Sequence, residues 1–125
     1  NLTEYLARTC NLDLIKFAVE KGVDMSFTEE NGMDIYKVLC KESVRTDCLQ
    51  YSLEKKFPMK YPPQTYFEDM FRDLSANDHN NKEKLNIIKW WTENFEYDFT
   101  NGALSAAAEY GTADLLQFMV QKGAT

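Results

Sequence analysis

The chain has 125 residues, of which 44% are hydrophobic and 27% charged, and 14 Lys and Arg against 20 Asp and Glu give a net charge of −6. This is enough material for one compact domain, and not for two. The acidic balance argues against nucleic acid as the main partner, because phosphate binding needs a basic face. No apolar run reaches the length of about 18 residues that a membrane-spanning helix needs.

Apolar segments with helical spacing come in pairs along the chain. In chain order the predicted pairs are Leu2–Arg8 with Asn11–Gly22, Met33–Glu42 with Asp47–Lys56, Gln64–Leu74 with Asn86–Phe95, and Ala103–Glu109 with Asp114–Gly123. Polar linkers that contain Gly or Pro separate the pairs. Strict alternation of polar and apolar residues is nowhere sustained, so the sequence predicts an all-α fold.

The second segment of each pair repeats one pattern. An aromatic column consists of Phe17, Tyr51, Trp90 and Phe118, and an aliphatic column of Ile15, Leu49, Ile88 and Leu116. A polar stripe at positions i, i+3 and i+7 runs along one face of each copy. The rest of each helix is apolar and must be covered on more than one side, which predicts a core position for the aromatic column.

Two glycines mark the ends of helices. Gly22 and Gly123 stand where a helix stops in a left-handed conformation, which glycine adopts without steric cost. Lys21 and Lys122 precede them, at the negative end of the helix dipole. Three cysteines without a C-x-x-C motif indicate reduced, packed thiols and an intracellular location, cytoplasmic or nuclear.

The fourth copy resembles an ankyrin repeat in Ala103–Gly111, in Asp114-Leu115-Leu116 and in Lys122-Gly123-Ala124. Gly32–Cys40 with Asp47-Cys48-Leu49 resembles a degenerate copy, and Leu12–Asp24 is similar to the second half of another. The resemblance implies an ankyrin-like solenoid of about four stacked helix-turn-helix repeats, over residues 1–28, 29–60, 61–98 and 99–125.

The third copy departs from the family pattern. An insert, Ser75–Lys82, separates its two helices, and Trp90-Trp91 replaces the family's paired Leu. Trp90 lies in the aromatic core column. Trp91 occupies a column of smaller residues, where it either fills space opened by the insert or reaches the surface.

The resemblance implies a non-catalytic module that binds a protein partner through loop tips and the concave first-helix face, with no metal or other cofactor. The partner-binding residues that it implies are Glu29, Glu30, Met33, Lys41, Lys60, Tyr61, Tyr97, Asp98, Asn101, Glu109 and Tyr110. Divergence from the family consensus is typical of a fast-evolving lineage, such as a viral or pathogen protein in a host cytosol.

Tyr61 and Tyr97 are the predicted anchors, because an exposed Tyr gives a large contact area at low entropic cost. The alternative is that each ring packs on its own linker, beside Pro62 or Phe99. Glu29 and Glu30 either select a basic partner or form a solvated loop tip.

Two other functions remain open. The first is a structural spacer or intramolecular docking segment within a longer protein, of which this chain would be a fragment. Its uncapped ends would then expose apolar residues and favour self-association, and the predicted exposed residues are Leu2, Tyr5, Leu6, Leu115 and Met119. The second is a small metal-dependent enzyme centred on Asp78 and His79, although a lone His in a polar loop is a poor site.

Overall fold

The structure of the protein is a computed structural model that describes residues 2–25, 34–42, 45–74 and 81–123. Over these residues the chain forms eight α-helices and no strand, which confirms the all-α prediction. The chain divides into two compact units, Asn1–Pro62 and Pro63–Thr125, with four of these helices in each.

The first unit contains two helical hairpins side by side. Its helices are α1 (Leu2–Thr9), α2 (Leu12–Glu20), α3 (Ile35–Glu42) and α4 (Asp47–Glu54). Helices α1 and α2 form one hairpin, and α3 and α4 the other. The two hairpins meet first helix to first helix (α1 with α3) and second helix to second helix (α2 with α4).

The second unit repeats this arrangement. Its helices are α5 (Pro63–Arg72), α6 (Asn81–Asn94), α7 (Asn101–Tyr110) and α8 (Ala113–Gln121). Helix α5 packs on α7, and α6 packs on α8. Within each unit, therefore, equivalent helices of successive hairpins are neighbours.

Polar side chains cap the first turns of α2, α7 and α8. At 3.2 Å, side-chain oxygens of Asn11, Thr100 and Thr112 accept the backbone N–H of Leu14, Ala103 and Leu115, respectively. Such N-caps satisfy donors that have no partner inside the helix.

Three of the four second helices, α2, α4 and α8, end in a left-handed turn. Gly22, Lys56 and Gly123 have φ angles of +93°, +58° and +96°. The two glycines confirm the sequence prediction. Lys56 makes the same turn without the freedom of glycine.

The repeated sequence columns correspond to a repeated contact. The Nζ atom of Lys16 in α2 lies 5.7 Å from the ring centroid of Tyr51 in α4. The Nζ atom of Lys89 in α6 lies 5.6 Å from the ring centroid of Phe118 in α8. Lys16 and Lys89 share one column of the sequence pattern, as Tyr51 and Phe118 share another.

Aromatic rings fill much of the core of the second unit. Trp91 is fully buried, with its ring centroid 5.6 Å from that of Tyr66 and 4.8 Å from that of Phe95. Its Nε1–H donates a hydrogen bond to the Pro63 carbonyl oxygen at 3.1 Å. Trp91 therefore does not reach the surface, and burial of Trp90 confirms its predicted core position.

Two predictions about the helices are wrong. Helix α6 begins at Asn81, so Asn81 and Lys82 belong to the helix and not to the insert. Phe17 is 57% exposed although the aromatic column predicts it to be buried. Among the described residues of its unit no helix covers Phe17 as α2 covers Tyr51.

The prediction that apolar residues are exposed on the first and last hairpins is correct only in part. Leu2 and Tyr5 are exposed as predicted. The prediction is wrong for Leu6, Leu115 and Met119, which are all buried. On α8 the exposed apolar residues are instead Leu116 and Val120, because α8 turns Leu115 and Met119 into its own unit.

Candidate protein-binding surface

The loop between α4 and α5 is fixed at Lys60 by a buried carboxylate. Asp34 is 1% exposed and lies at the start of α3. One carboxylate oxygen accepts the backbone N–H of Lys37 at 2.9 Å, and the other accepts the backbone N–H of Lys60 at 3.0 Å. One side chain thus caps a helix and holds the backbone of a loop, while the Lys60 side chain is exposed.

A buried tyrosine fixes the same loop closer to α4. The hydroxyl of Tyr36 donates to the carbonyl oxygen of Phe57 at 2.7 Å, and the carbonyl oxygen of Ser52 lies 3.2 Å away. Burial, with a smaller contribution from the charge of Asp34, raises the pKa of Tyr36 to about 12. The hydroxyl therefore stays protonated and remains a donor.

Tyr61 is half-buried beneath two lysines. The Nζ atoms of Lys37 and Lys60 lie 4.4 Å and 5.5 Å from its ring centroid. Both distances are within the range of a cation–π interaction. The ring is thus packed by neighbours from its own unit while the residue remains partly exposed.

The loop before α7 is fixed at Asp98 in a similar way. The Gln64 side chain, on the first turn of α5, makes two hydrogen bonds of 2.9 Å to the backbone of Asp98. Its amide oxygen accepts the Asp98 N–H, and its amide nitrogen donates to the Asp98 carbonyl oxygen. The Asp98 side chain itself is exposed.

Tyr97 packs on its own unit. Its ring centroid lies 5.3 Å from those of both Phe67 and Phe99, and the residue is half-buried. The contact with Phe99 matches the alternative in which the ring packs on its linker. Tyr97 therefore belongs partly to the core, which limits its value as a binding anchor.

Lys60 and Asp98 occupy equivalent places. Each lies three residues before the next first helix, which starts at Pro63 or Asn101. Each has its backbone N–H held by a side chain at the start of the preceding first helix, Asp34 or Gln64. Sequence reasoning missed both anchors, although Asp34 directly before a helical segment is a recognisable N-cap signal.

The other predicted site residues lie on first helices or outside the described residues. Lys41 in α3 is exposed, as are Asn101 and Glu109 in α7, whereas Tyr110 is half-buried. A hydrogen bond to Glu109 and the charge of that carboxylate raise the pKa of Tyr110. The remaining predictions lie outside the described residues, and they concern Glu29, Glu30 and Met33.

None of the three cysteines forms a disulfide, and Cys40 and Cys48 are buried whereas Cys10 is half-buried. Burial first, and then the charge of Asp47, raises the pKa of Cys48 to about 12. A thiol with so high a pKa is a poor nucleophile at neutral pH.

The described residues contain no group of three or more His, Cys, Asp and Glu side chains that could hold a metal ion. Asp78 and His79, the centre of the predicted enzymatic alternative, lie outside them. Nor does any helix in the described part of the chain have the length and apolarity to cross a membrane.

Comparisons with protein-family models, with curated proteins and with solved structures found no match to this chain.

Proposed function

We propose that the chain is a non-catalytic protein-interaction module, built as a short array of ankyrin-like repeats. The supporting features are the sequence columns and the matching lysine-to-ring contacts, Lys16 on Tyr51 and Lys89 on Phe118. A fold made of repeated hairpins presents a series of loops whose side chains vary independently of the core. Each unit has its own binding surface: the loop at Lys60–Tyr61 with the exposed part of α3 in the first unit, and the loop at Tyr97–Asp98 with the exposed part of α7 in the second.

The observation that carries the proposal is the equivalent anchoring of the two loops. Asp34 and Gln64 hold the backbones of Lys60 and Asp98 in place, while both charged side chains point to solvent. A loop that is already ordered loses less conformational entropy when a partner binds. Anchored loops with exposed charges are therefore suited to recognition.

The two loops differ in charge, so each favours a partner segment of the opposite charge. Lys60 and Lys37 surround Tyr61 in the first unit, whereas Asp98 is the exposed charge of the second loop. Complementary charges contribute mainly to specificity and association rate. Tyr61 supplies an aromatic surface beside the basic charges.

The test is to identify a protein captured by the chain and to measure its affinity for purified variants. We expect Lys60→Glu and Asp98→Lys each to weaken binding about tenfold, or about 1.4 kcal/mol. Because both side chains are exposed and only their backbones are anchored, the melting temperature of each variant should stay close to that of the unmodified chain.

Glu93→Lys is the matched control, since Glu93 is an exposed charge that lies on α6 and belongs to neither loop. It should leave the affinity unchanged. A partner that binds both loop variants as tightly as the unmodified chain would contradict the proposed surface.

A further inference from the structure

The first and last helical hairpins are two copies of one structure, 101 residues apart in the sequence. Asn11 and Thr112 cap α2 and α8 with the same hydrogen bond. Lys21 and Lys122 end these helices with nearly identical backbone angles, φ −89° and ψ 5° against φ −90° and ψ 5°. The glycine that follows each lysine has a positive φ in both copies.

One face of this hairpin is buried in the first copy and exposed in the last. We name it the following face; it consists of Ala7, Ile15 and Val19 in the first copy and Ala108, Leu116 and Val120 in the last. Ile15 is 1% exposed, whereas Leu116 is 39% exposed. Val19 is half-buried and Val120 is 66% exposed. Likewise Ala7 is fully buried and Ala108 is exposed.

The other face shows the reverse exposure. We name it the preceding face; it consists of Leu2, Tyr5, Leu14 and Phe17 in the first copy and Ala103, Ala106, Leu115 and Phe118 in the last. Leu14 is 41% exposed, whereas Leu115 is fully buried. Leu2 is exposed and Ala103 is buried. In the last copy this face lies on helices that pack against α5 and α6.

Contacts within the chain show what covers each face. In the first unit the hairpin α1–α2 packs against α3–α4, and Lys16 reaches the ring of Tyr51. In the second unit α5–α6 packs in the same way against α7–α8, and Lys89 reaches the ring of Phe118. Within each unit, therefore, the following face of the first hairpin packs against the preceding face of the second hairpin.

We propose that two copies of this chain associate head to tail, with the following face of α7–α8 in one copy on the preceding face of α1–α2 in the other. Leu116 and Val120 of one copy then cover Leu14 and Phe17 of the other. The small side chain of Ala108 leaves room for the ring of Tyr5. Each contact buries apolar side chains that are exposed in the single chain.

The net charge disfavours contact between two α7–α8 hairpins more than it disfavours head-to-tail contact. Residues 1–62 contain nine Lys and Arg against ten Asp and Glu, whereas residues 63–125 contain five against ten. Head-to-tail contact places the acidic part of one copy against the nearly neutral part of the other. Contact between two α7–α8 hairpins would instead bring two acidic parts together.

The interface is heterologous, because two different surfaces meet. Each surface can therefore be blocked by its own substitution. Sedimentation of the unmodified chain over a range of concentrations should show species larger than one chain. Phe17→Glu blocks the preceding face and Val120→Glu blocks the following face. Each variant alone should weaken self-association at least tenfold, because a charge is brought into an apolar contact.

An equimolar mixture of the two variants should restore association, and only as far as a dimer. The Phe17→Glu chain retains an intact following face, and the Val120→Glu chain retains an intact preceding face, so that one contact can form. Both substituted side chains are exposed, and far-UV circular dichroism should show an unchanged helix content. Gln121→Glu, which adds the same charge on the exposed polar stripe of α8, is the matched control and should associate like the unmodified chain.

Three results would overturn the proposal. The first is an unmodified chain that stays monomeric at every concentration, a measurement that needs no variant. The second is undiminished self-association of either Glu variant alone. The third is a mixture of the two variants that remains monomeric. The loop variants of the proposed function lie outside both faces, so the two proposals can fail independently.

Discussion

At the scale of single residues, Lys56 closes α4 with a backbone conformation that suits glycine better. Its φ of +58° brings the side chain of an L-residue close to the backbone, at a cost of about 1–2 kcal/mol. Gly22 and Gly123 make the same turn after α2 and α8. We therefore predict that Lys56→Gly raises the free energy of unfolding by about 1 kcal/mol in urea denaturation.

Lys55→Gly is the control for that measurement, because Lys55 has a φ of −81°. It should bring no gain in stability, since glycine has no conformational advantage there and adds freedom to the unfolded chain. An equal gain from both substitutions would show that removal of a lysine charge, and not relief of backbone strain, is responsible.

Tyr36 connects α3 to the loop after α4 through its hydroxyl. Tyr36→Phe leaves the part-buried carbonyl oxygen of Phe57 without this donor, and we predict a loss of about 1–2 kcal/mol in the free energy of unfolding. Thermal or urea denaturation measures the loss. Tyr97→Phe is the comparison, and it should cost less, because the Tyr97 ring retains its contacts with Phe67 and Phe99.

Tyr36 and Cys48 also make stability depend on alkaline pH. The pKa of Tyr36 rises from 10.0 to about 12 on folding, and that of Cys48 from 9.0 to about 12. At a pH between the ordinary and the raised pKa of each group, the side chain has lost its proton in the unfolded chain but keeps it in the folded chain. Stability is therefore complete below pH 9 and falls as the pH rises towards 12.

Urea denaturation at a series of alkaline pH values tests this dependence. The Tyr36→Phe variant should show a shallower decline than the unmodified chain, because one of the two groups is absent. An identical decline in both chains would exclude Tyr36 as a contributor.

At the scale of secondary structure, α7 ends at a glycine, Gly111, whose backbone lies close to the carbonyl group of Ala107. The requirement for glycine comes from this short distance and not from an unusual φ angle. Gly111 has a φ of −76°, but a Cβ atom there would lie 2.4 Å from the carbonyl oxygen of Ala107. The backbone must shift to admit any side chain. We predict that Gly111→Ala lowers the free energy of unfolding by about 1–3 kcal/mol in urea denaturation.

Gly102, in the first turn of the same helix, provides the opposite case. A Cβ atom there would meet only the Thr100 hydroxyl oxygen at 3.9 Å. Gly102→Ala should therefore be neutral or stabilising by up to about 1 kcal/mol, because Ala has the higher helix propensity. Similar losses from both substitutions would contradict the steric explanation for Gly111.

Helix positions could be predicted well because helical periodicity is a local property. Seven of the eight helices lie within two residues of their predicted starts, and α6 is the exception. Asn81 and Lys82 are polar and precede the apolar pattern, so the sequence gives no periodic signal for that extra turn. The caps at Asn11 and Thr112 are equally local and follow the general preference for such residues.

At the scale of the whole molecule, the net charge of −6 opposes association between copies. The proposed head-to-tail contact is apolar, so added salt should strengthen it by screening this repulsion. We predict a larger weight-average mass in sedimentation at about 0.5 M salt than at about 0.05 M. A contact held by ion pairs would instead weaken with salt.

The candidate site could be predicted only in outline. The resemblance to a repeat family directs attention to Lys60, Tyr61, Tyr97 and Asp98, which are in fact loop residues. It gives no sign that Tyr97 packs on Phe67, because that contact joins residues 30 positions apart. The anchoring of Asp98 by Gln64 is equally non-local.

The sequence by itself determined that the chain is helical, that its helices come in pairs, and where Gly22 and Gly123 end two of them. These properties follow from periodicity and from backbone sterics, which act over a few residues. Only the tertiary structure decided which side of each helix is covered. Phe17 and Phe118 share one sequence column, yet Phe17 is 57% exposed while Lys89 of α6 lies over the ring of Phe118. Burial depends on which helix lies next to a residue, and no local pattern records that neighbour.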